Sequence, residues 1–301
     1  MKSMKRTKLK DKEVNPFKTI LFGFLGYVII GVALISLPFA QKIPVGFVDN
    51  LFNVVSAMST TGLTTGSLSD MYTPFGKIIL LGLIQLGAIG YMTLTSFLIL
   101  STSKKISTHR VKILSAEFSM PENFDLKHFI SNIIIYTIIV EFIGTVLLCI
   151  EFSKLGLQKP LWSAIFHCVS AFSTAGFSIY ADGLCRFQND VSVNLIIAFL
   201  CYAGAIGFIV PMDIYRRLTH KSKEITFTTK IILFITVMIT LTGSVIYIGS
   251  SGADALSAFF QVMSASTTAG FNTVDVSKLP DAALLVLIFA MIIGASPSGT
   301  G

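Results

Sequence analysis

Charged residues are scarce in this sequence. Asp, Glu, Lys and Arg make up 13% of the 301 residues, whereas 53% are hydrophobic and the mean hydropathy is +0.76. A soluble domain carries about 25% charged residues. The composition therefore excludes a soluble globular protein and indicates an integral membrane protein.

Cysteines and catalytic groupings are also scarce. The four cysteines, Cys149, Cys168, Cys185 and Cys201, show no C-x-x-C or His-paired spacing, so neither a disulfide framework nor a metal site is expected. The sequence has no H-E-x-x-H or Ser/His/Asp grouping, and Glu141 is the one carboxylate within an apolar segment. We therefore predict that the chain is not an enzyme, and keep a membrane-embedded transferase or protease as a weaker alternative.

Long apolar windows are what the sequence does contain. Each holds about the 20 residues that a helix needs to cross a bilayer. The first exceeds the length of a signal-peptide core and no A-x-A site follows it, so we expect it to remain as a helix. The six windows are Thr19–Ala40, Ile78–Ser103, Phe129–Ile150, Val191–Met212, Ile231–Ala253 and Ala282–Gly301.

Basic residues cluster in three segments that alternate with the other ends of these windows. Residues 1–18 carry seven Lys and Arg, 104–127 five, and 216–230 five. The positive-inside rule then places the N terminus and both loops in the cytoplasm of a multi-pass cell (inner or plasma) membrane protein. We assign the net charge of +7 to topology and to contact with anionic lipid, not to nucleic-acid binding.

One polar pattern occurs three times in the same register. Residues 52–65 read FNVVSAMSTTGLTT, 166–179 read FHCVSAFSTAGFSI, and 260–273 read FQVMSASTTAGFNT. Each copy lies between two apolar windows, which indicates a repeated architecture. An alternative without a binding function is that Ser, Thr and Gly only let helices pack closely. This alternative explains one copy better than three.

Each copy predicts a short helix followed by extended chain. The segments Val48–Ser59, Leu161–Ser173 and Asp254–Thr267 are too short to cross the bilayer at 1.5 Å per residue. We therefore expect re-entrant hairpins, since non-helical backbone at membrane depth must be buried or line a cavity. Carbonyl oxygens and helix C-terminal dipoles suit a hard monovalent cation.

The loops STTGLTT, STAGFS and STTAGFNT, with QLGAIGYMT at 85–93, AGAIGF at 203–208 and IGASPSGTG at 293–301, resemble the membrane subunits of Trk/Ktr potassium uptake systems, close to the Ktr type. The resemblance implies an all-α membrane fold of membrane–pore-loop–membrane units. It also implies K⁺ transport, sodium stimulation, a homodimer and a cytoplasmic nucleotide-binding regulatory ring. No nucleotide is expected on this chain itself.

By position, the resemblance implies a potassium filter with one glycine per unit. Neighbouring residues would supply carbonyl oxygens. The implied filter residues are Thr60, Thr61, Gly62, Leu63, Thr174, Ala175, Gly176, Phe177, Thr268, Ala269, Gly270 and Phe271.

The last window departs from the GAIG pattern of its two counterparts, Gly87–Gly90 and Gly204–Gly207. Its proline and glycines predict that the third helix breaks in mid-membrane. In the family this segment is the intramembrane loop that gates the pore. It does not fit the phosphate-binding G-x-x-x-x-G-K-[ST] pattern, because Thr300 replaces the lysine. The gate-loop residues are Gly294, Ala295, Ser296, Pro297, Ser298, Gly299, Thr300 and Gly301.

The resemblance also predicts how many repeated units the subunit should have. The family has four units and this sequence contains three, ending within the gate loop, so we expect a truncated, split or incomplete subunit. A non-conducting remnant, or half of a split subunit that needs a fourth repeat in trans, is therefore kept as an alternative. The predicted divisions are 1–18, 19–103 (first repeat), 104–128, 129–213 (second repeat), 214–230 and 231–301 (third repeat).

Four further polar residues lie in or beside the apolar segments and have expected roles. Glu141 is given structural and functional roles with equal weight. His167 is expected to be packed on the second short helix. Asp49 and Asp254 are expected to cap short helices or favour their positive ends.

Overall fold

The computed structural model describes residues 16–90, 93, 126–220, 224–296 and 299–300. These residues form α-helices and short 3₁₀ turns, with no β-strand among them beyond one isolated bridge between Gln41 and Tyr72. The helices are α1 (Pro16–Ile35), α2 (Phe47–Met58), α3 (Leu68–Met71), α4 (Pro74–Ile89), α5 (Leu126–Lys154), α6 (Pro160–Phe172), α7 (Val191–Ala205), α8 (Ile209–Leu218), α9 (Phe227–Ser251), α10 (Ala255–Ser266) and α11 (Asp281–Ile293).

Three successive units share one pattern of packing. A first helix, a pore helix (α2, α6 or α10) and a second helix contact one another in α1–α2–α4, in α5–α6–α7 and in α9–α10–α11. Adjacent units meet through the second helix of one and the pore helix of the next, since α4 contacts α6 and α7 contacts α10. The repeated all-α architecture predicted from the sequence is therefore present.

The short helices α2, α6 and α10 have 12, 13 and 12 residues. At 1.5 Å per residue they are about 18–20 Å long, which is less than the hydrocarbon thickness. Their bounds differ from the predicted ones by one residue at each end. We call them the pore helices below.

Helices long enough to span a membrane are fewer than the six apolar windows suggest. Among the described residues, two qualify by length and hydropathy, His128–Lys154 and Phe227–Ser251, and a third does if α7 and α8 count as one bent span. The third and fifth windows are therefore each largely one continuous helix, whereas 91–103 of the second window, apart from 93, lies outside the described residues. Non-helical segments interrupt or replace part of several windows.

Glycines end all three second helices. Gly90 follows α4 with φ 79°, Gly207 separates α7 from α8 with φ 86°, and Gly294 follows α11 with φ 63°. The axes of α7 and α8 differ in direction by 95°. The expected contrast between a broken third helix and two GAIG counterparts is therefore wrong, because left-handed backbone at these glycines ends each helix.

Buried apolar side chains form two clusters. The larger joins the first and second units with Phe260, Met263 and Phe271 of the third, and the smaller lies within the third unit around Tyr247 and Leu287. Large apolar side chains on α5 and α9 are exposed, including Phe142 and Phe234. Outward-facing apolar surfaces of this kind are those that a bilayer covers.

Candidate functional site: three pore loops around one axis

The three pore helices end in the same hydrogen-bonded motif. Thr60, Thr174 and Thr268 adopt left-handed φ values of 51°, 48° and 55°. The next amide donates to the carbonyl five residues earlier, at 2.9 Å for Thr61 to Ser56, 2.8 Å for Ala175 to Ser170 and 3.0 Å for Ala269 to Ser264. This is a Schellman cap in which threonine takes the position usually held by glycine.

The threonine amides complete the cap. They donate to Ala57, Ala171 and Ala265 at 3.3, 3.0 and 3.0 Å. The alanine of each Ser-Ala pair in the repeated pattern is therefore the acceptor of this second bond. A left-handed threonine is strained, so three identical cases show that the turn is a feature of the repeat.

The glycine two residues after each threonine also has a left-handed backbone. The φ values are 82° at Gly62, 65° at Gly176 and 78° at Gly270. A Cβ at Gly62 would overlap the carbonyl oxygen of Ala175, and a Cβ at Gly176 would overlap the carbonyl oxygen of Ala269. Each loop therefore lies against the next one, in the order first, second, third.

The third glycine differs from the other two. Within the described residues, nothing lies within 4 Å of a Cβ at Gly270. The residue after the glycine differs as well, because Leu63 is 61% exposed whereas Phe177 and Phe271 are 1% exposed. The three loops thus form an arc that is closed between neighbouring units and open beside Gly270.

Charge is absent from the arc itself. No Asp, Glu, Lys or Arg occurs in 59–69, 173–181 or 267–274, and the described residues contain no cluster of three or more His, Cys, Asp or Glu suited to a metal. The polar groups are carbonyls and hydroxyls, next to the negative ends of three helices. Such a set suits a hard monovalent cation better than a transition metal.

A cavity of about 210 Å³ lies beside the loops of the first two units. Gly62 and Thr64 line it from the first unit, and Gly176, Ser178 and Gly183 from the second. Nearby, Arg186 donates hydrogen bonds to Asp182, with a shortest distance of 2.6 Å, and holds the pKa of that carboxyl below its usual range. Because both side chains are exposed, the pair contributes little to stability.

The described part of the gate loop crosses to the second unit. The amide of Ser296 donates to the carbonyl of Ala205 at 2.9 Å, and that of Thr300 to Gly204 at 3.2 Å. The Thr300 hydroxyl donates to the carbonyl of Phe172, the last residue of α6, at 2.8 Å. Gly294, Ala295 and Gly299 belong to the same segment, whereas Pro297, Ser298 and Gly301 lie outside the described residues.

The glycines that precede each break pack against pore-helix ends. A Cβ at Gly87 would overlap the carbonyl oxygen of Met58, and a Cβ at Gly204 would overlap that of Phe172. Small residues allow this backbone approach between membrane helices. The GAIG pattern therefore seats the second helix of each of these units directly against the end of its pore helix.

Sequence reasoning missed a set of polar side chains on the pore helices. The second position of the repeated pattern holds Asn53, His167 and Gln261, and all three are buried. Each contacts the chain two or three residues after the glycine of its own repeat. The signal was present in the alignment, since the position is polar in every copy although the residue type differs.

His167, Asp254, Asp49 and Glu141 have different surroundings in the structure. His167 is packed, as expected. Asp254 is the N-cap of α10 and accepts from the Ser257 amide at 3.0 Å. Asp49 lies in the first turn of α2 but Gly46 is the N-cap, so Asp49 caps no amide. One carboxyl oxygen of Glu141 is buried without a hydrogen-bond partner among the described residues.

Comparison with known proteins gives one consistent result. The family model described as "TrkH: Cation transport protein" matches residues 26–246 and 224–301. The "Ktr system potassium uptake protein B" of Vibrio alginolyticus is 33% identical over 99% of this chain and 67% of its own length. The protein of the same description from Bacillus subtilis is 30% identical, over 97% and 69%.

One further relative and one solved structure also match nearly the whole of this chain. The "Potassium/sodium uptake protein NtpJ" of Enterococcus hirae is 29% identical over 96% of this chain and 66% of its own. The crystal structure of the potassium transporter TrkH from Vibrio parahaemolyticus superposes with a TM-score of 0.65 at 22% identity, covering 97% of this chain and 59% of that one. The chain thus spans about two thirds of the length of the curated relatives that it matches.

Proposed function

The chain belongs to the TrkH family of cation transport proteins, and on that premise we propose that it forms the ion-conducting path of a potassium uptake system. The family consists of transporters, so the alternative of a membrane-embedded enzyme is set aside. The relatives' names specify potassium uptake and, for one, potassium and sodium. K⁺ is therefore the proposed cargo, with Na⁺ as a stimulating ion.

One observation supports this proposal most. The loops around Gly62, Gly176 and Gly270 meet backbone to backbone, in order, at the ends of three short helices. Such an arrangement offers carbonyl oxygens and helix dipoles to a dehydrated monovalent ion without any fixed negative charge. The proposed filter also includes the residues beside each glycine: Thr60, Thr61, Leu63, Thr174, Ala175, Phe177, Thr268, Ala269 and Phe271.

The proposed gate is the loop from Gly294 onward. Its contacts with Gly204, Ala205 and Phe172 support a location next to the end of the second filter loop. A cytoplasmic nucleotide-binding ring would control this loop, and the proposed complex is a homodimer of the membrane subunit with a cytoplasmic N terminus. Arg216 and Arg217, exposed in the last turn of α8, are the proposed contacts with the ring.

A second candidate is a subunit whose path is completed by another chain. The observation that favours it is the open space beside Gly270, in contrast to the neighbours found at Gly62 and Gly176. In this case the chain binds K⁺ weakly or not at all alone, and gains transport when a fourth pore-loop unit is supplied in trans.

Growth of a potassium-uptake-deficient bacterium at micromolar potassium tests both candidates. The chain is expressed alone, with a ring subunit, and with a separately encoded fourth unit, and its level in the membrane is measured in each case. Growth that Gly176→Ser abolishes and Gly82→Ala preserves supports a conducting path through these loops. No growth in any arm, with the chain present in the membrane, contradicts the proposal.

A further inference from the structure

A hydrogen bond joins each pore helix to the extended chain that follows the glycine of its own loop. We call this extended segment the strand, although it pairs with no β-strand among the described residues. Asn53 accepts from the Thr65 amide at 3.2 Å, and Gln261 donates to the Thr273 hydroxyl at 3.2 Å. His167 Nε2 lies 2.9 Å from the Ser178 hydroxyl. We call these three contacts the braces.

The braces occupy equivalent places in the repeat. Their pore-helix members share one position in the aligned copies, and their partners come two or three residues after Gly62, Gly176 and Gly270. All three pore-helix side chains are at most 2% exposed. A buried polar group that loses its partner keeps its full desolvation cost, so each brace holds its strand against the helix.

The second brace is the most elaborate. His167 Nδ1 lies 2.8 Å from the Ser163 carbonyl, which can only accept, so Nδ1 carries a proton. The Ser178 hydroxyl lies 2.9 Å from His167 Nε2 and 3.1 Å from the Gly183 carbonyl, and its single proton is shared between these two acceptors, while its oxygen accepts from the Tyr180 amide at 3.0 Å. The imidazole stacks on Tyr180 with ring centroids 5.0 Å apart, and Arg186 lies 4.2 Å from the centroid of the Tyr180 ring. The brace is therefore tied to the outer loop.

The three braces differ in strength in a regular way. Asn53 also donates to the Tyr72 hydroxyl at 3.0 Å, and Tyr72 donates to Asn50 at 2.9 Å. Among the described residues, the Gln261 side chain has one hydrogen bond, to Thr273, and it lies in the unit whose glycine faces open space. The first and second strands are thus held more firmly than the third.

We propose that Asn53, His167 and Gln261 are positioning residues that set the discrimination between K⁺ and the smaller Na⁺. This inference rests on the proposed function. In the cavity-size account of selectivity, carbonyl oxygens favour the larger ion because they do not contract around the smaller one. The braces resist that contraction, because each fixes the strand immediately after the filter glycine. Loss of a brace lets the strand relax and reduces the preference.

The test compares ion-dependent stability of the purified full-length chain in detergent. Thermal unfolding midpoints are recorded in K⁺, Na⁺ and choline at equal concentration, as a function of ion concentration. The variants are His167→Leu, His167→Gln, Ser178→Ala and the His167→Leu/Ser178→Ala pair. His220→Asn is the matched control, because His220 is exposed and left-handed (φ 57°) and asparagine tolerates that backbone.

Wild-type chain and control are expected to be stabilised by K⁺ more than by Na⁺. In His167→Leu and Ser178→Ala the apparent K⁺ over Na⁺ preference is expected to fall by about threefold to tenfold, the range that one buried hydrogen bond supports. The K⁺ preference of the double variant is expected to be no lower than that of Ser178→Ala alone, since Ser178→Ala removes the contact with His167 together with the bonds to Gly183 and Tyr180. His167→Gln, which keeps an acceptor, retains most of the preference.

The outcomes separate the inference from the function on which it rests. Equal midpoints in K⁺, Na⁺ and choline for the wild type contradict ion binding by this chain alone, and with it both the inference and the first proposed function; they are the result that the second candidate predicts. A K⁺ preference that persists unchanged in Ser178→Ala and His167→Leu overturns the braces alone. If His167→Leu yields no folded protein, Ser178→Ala and His167→Gln decide, because each alters the contact with a smaller change in packing.

Discussion

The carbonyl oxygen of Ala269 occupies the space that a side chain at Gly176 would need. The same holds for Gly62 and the carbonyl of Ala175, but nothing described lies near a Cβ at Gly270. The three glycines have equivalent places in the repeat but different surroundings. Replacing each with alanine should therefore cost different amounts of stability.

We expect Gly62→Ala and Gly176→Ala to be more destabilising than Gly270→Ala. All three pay about 1–2 kcal/mol for a left-handed backbone, and the first two must also move a backbone carbonyl of the neighbouring unit. Thermal unfolding in detergent measures the order. Gly82→Ala, on the exposed side of α4 with open space around it, is the control and is expected to be neutral or stabilising. Equal losses at all three positions would contradict the arc described above.

Thr300→Val tests the contact between the gate loop and the second pore helix. The change removes the hydroxyl bond to the Phe172 carbonyl and keeps the amide bond to Gly204. We expect a loss of about 1 kcal/mol in stability and, in a conducting assembly, faster uptake when the ring is inactive. Rubidium uptake by cells measures the rate. Thr300→Ser retains the hydroxyl and should behave as wild type, and Thr300→Val keeps the size of the side chain. Equal losses in Thr300→Ser and Thr300→Val would show that the hydroxyl bond to Phe172 does not account for the effect.

Asp254→Ala removes the cap of the third pore helix. Hydrogen bonds from Ser257 lower the pKa of Asp254, so the folded state binds its proton less tightly than the unfolded chain does. Its stabilisation is present above the ordinary aspartate pKa and is lost as pH falls through the folded-state value. We expect the alanine variant to lose about 1 kcal/mol.

The control for this cap is Asp254→Asn. Asparagine retains a side-chain acceptor but does not titrate, so it should recover most of the stability at neutral pH and remove this residue's part of the loss in acid. Unfolding midpoints at pH 7 and below pH 4 compare the three proteins. A cap role fails if Asp254→Ala unfolds at the wild-type midpoint at pH 7.

Reversal of charge at Arg216 and Arg217 tests the proposed ring contact. Both side chains are exposed at the end of α8. Exposed ion pairs contribute about 0.2–1 kcal/mol each, so the double change to Glu is expected to weaken ring binding by several-fold to roughly tenfold. Co-purification with the ring at increasing salt measures this. Lys278→Glu, which reverses an exposed charge on a loop of the third unit, is the control; unchanged binding by the arginine variant would move the interface elsewhere.

The pore helices could be predicted from sequence because local signals define them. A dozen mostly apolar residues, with a cap such as Asp254 before them and a Ser/Thr/Gly segment after them, leaves little choice of bounds. The three glycines of the repeated pattern could be singled out because three copies align. Their contact order was not predictable, since it depends on which carbonyl of one unit meets which glycine of the next.

The helix breaks and the braces needed the structure. Gly-Ala-Ile-Gly is compatible with a continuous helix, and the break at Gly207 is visible only once α7 is seen against Phe172 and the gate loop. Asn53, His167 and Gln261 are polar in every copy of the repeat but share no residue type. The alignment could therefore mark the position, whereas the partner of each side chain depends on how the chain folds back after its glycine.

The sequence separations of these contacts bear on the order in which the chain assembles. Each brace joins residues 11 or 12 positions apart, whereas the bond between Phe172 and Thr300 spans 128. Short loops close at lower entropic cost than long ones, so each pore loop can form soon after it leaves the ribosome. The interlock with the gate segment must wait until the third unit has entered the bilayer. Nascent chains arrested before and after that point would therefore differ in one property, the protection of the second loop from chemical labelling.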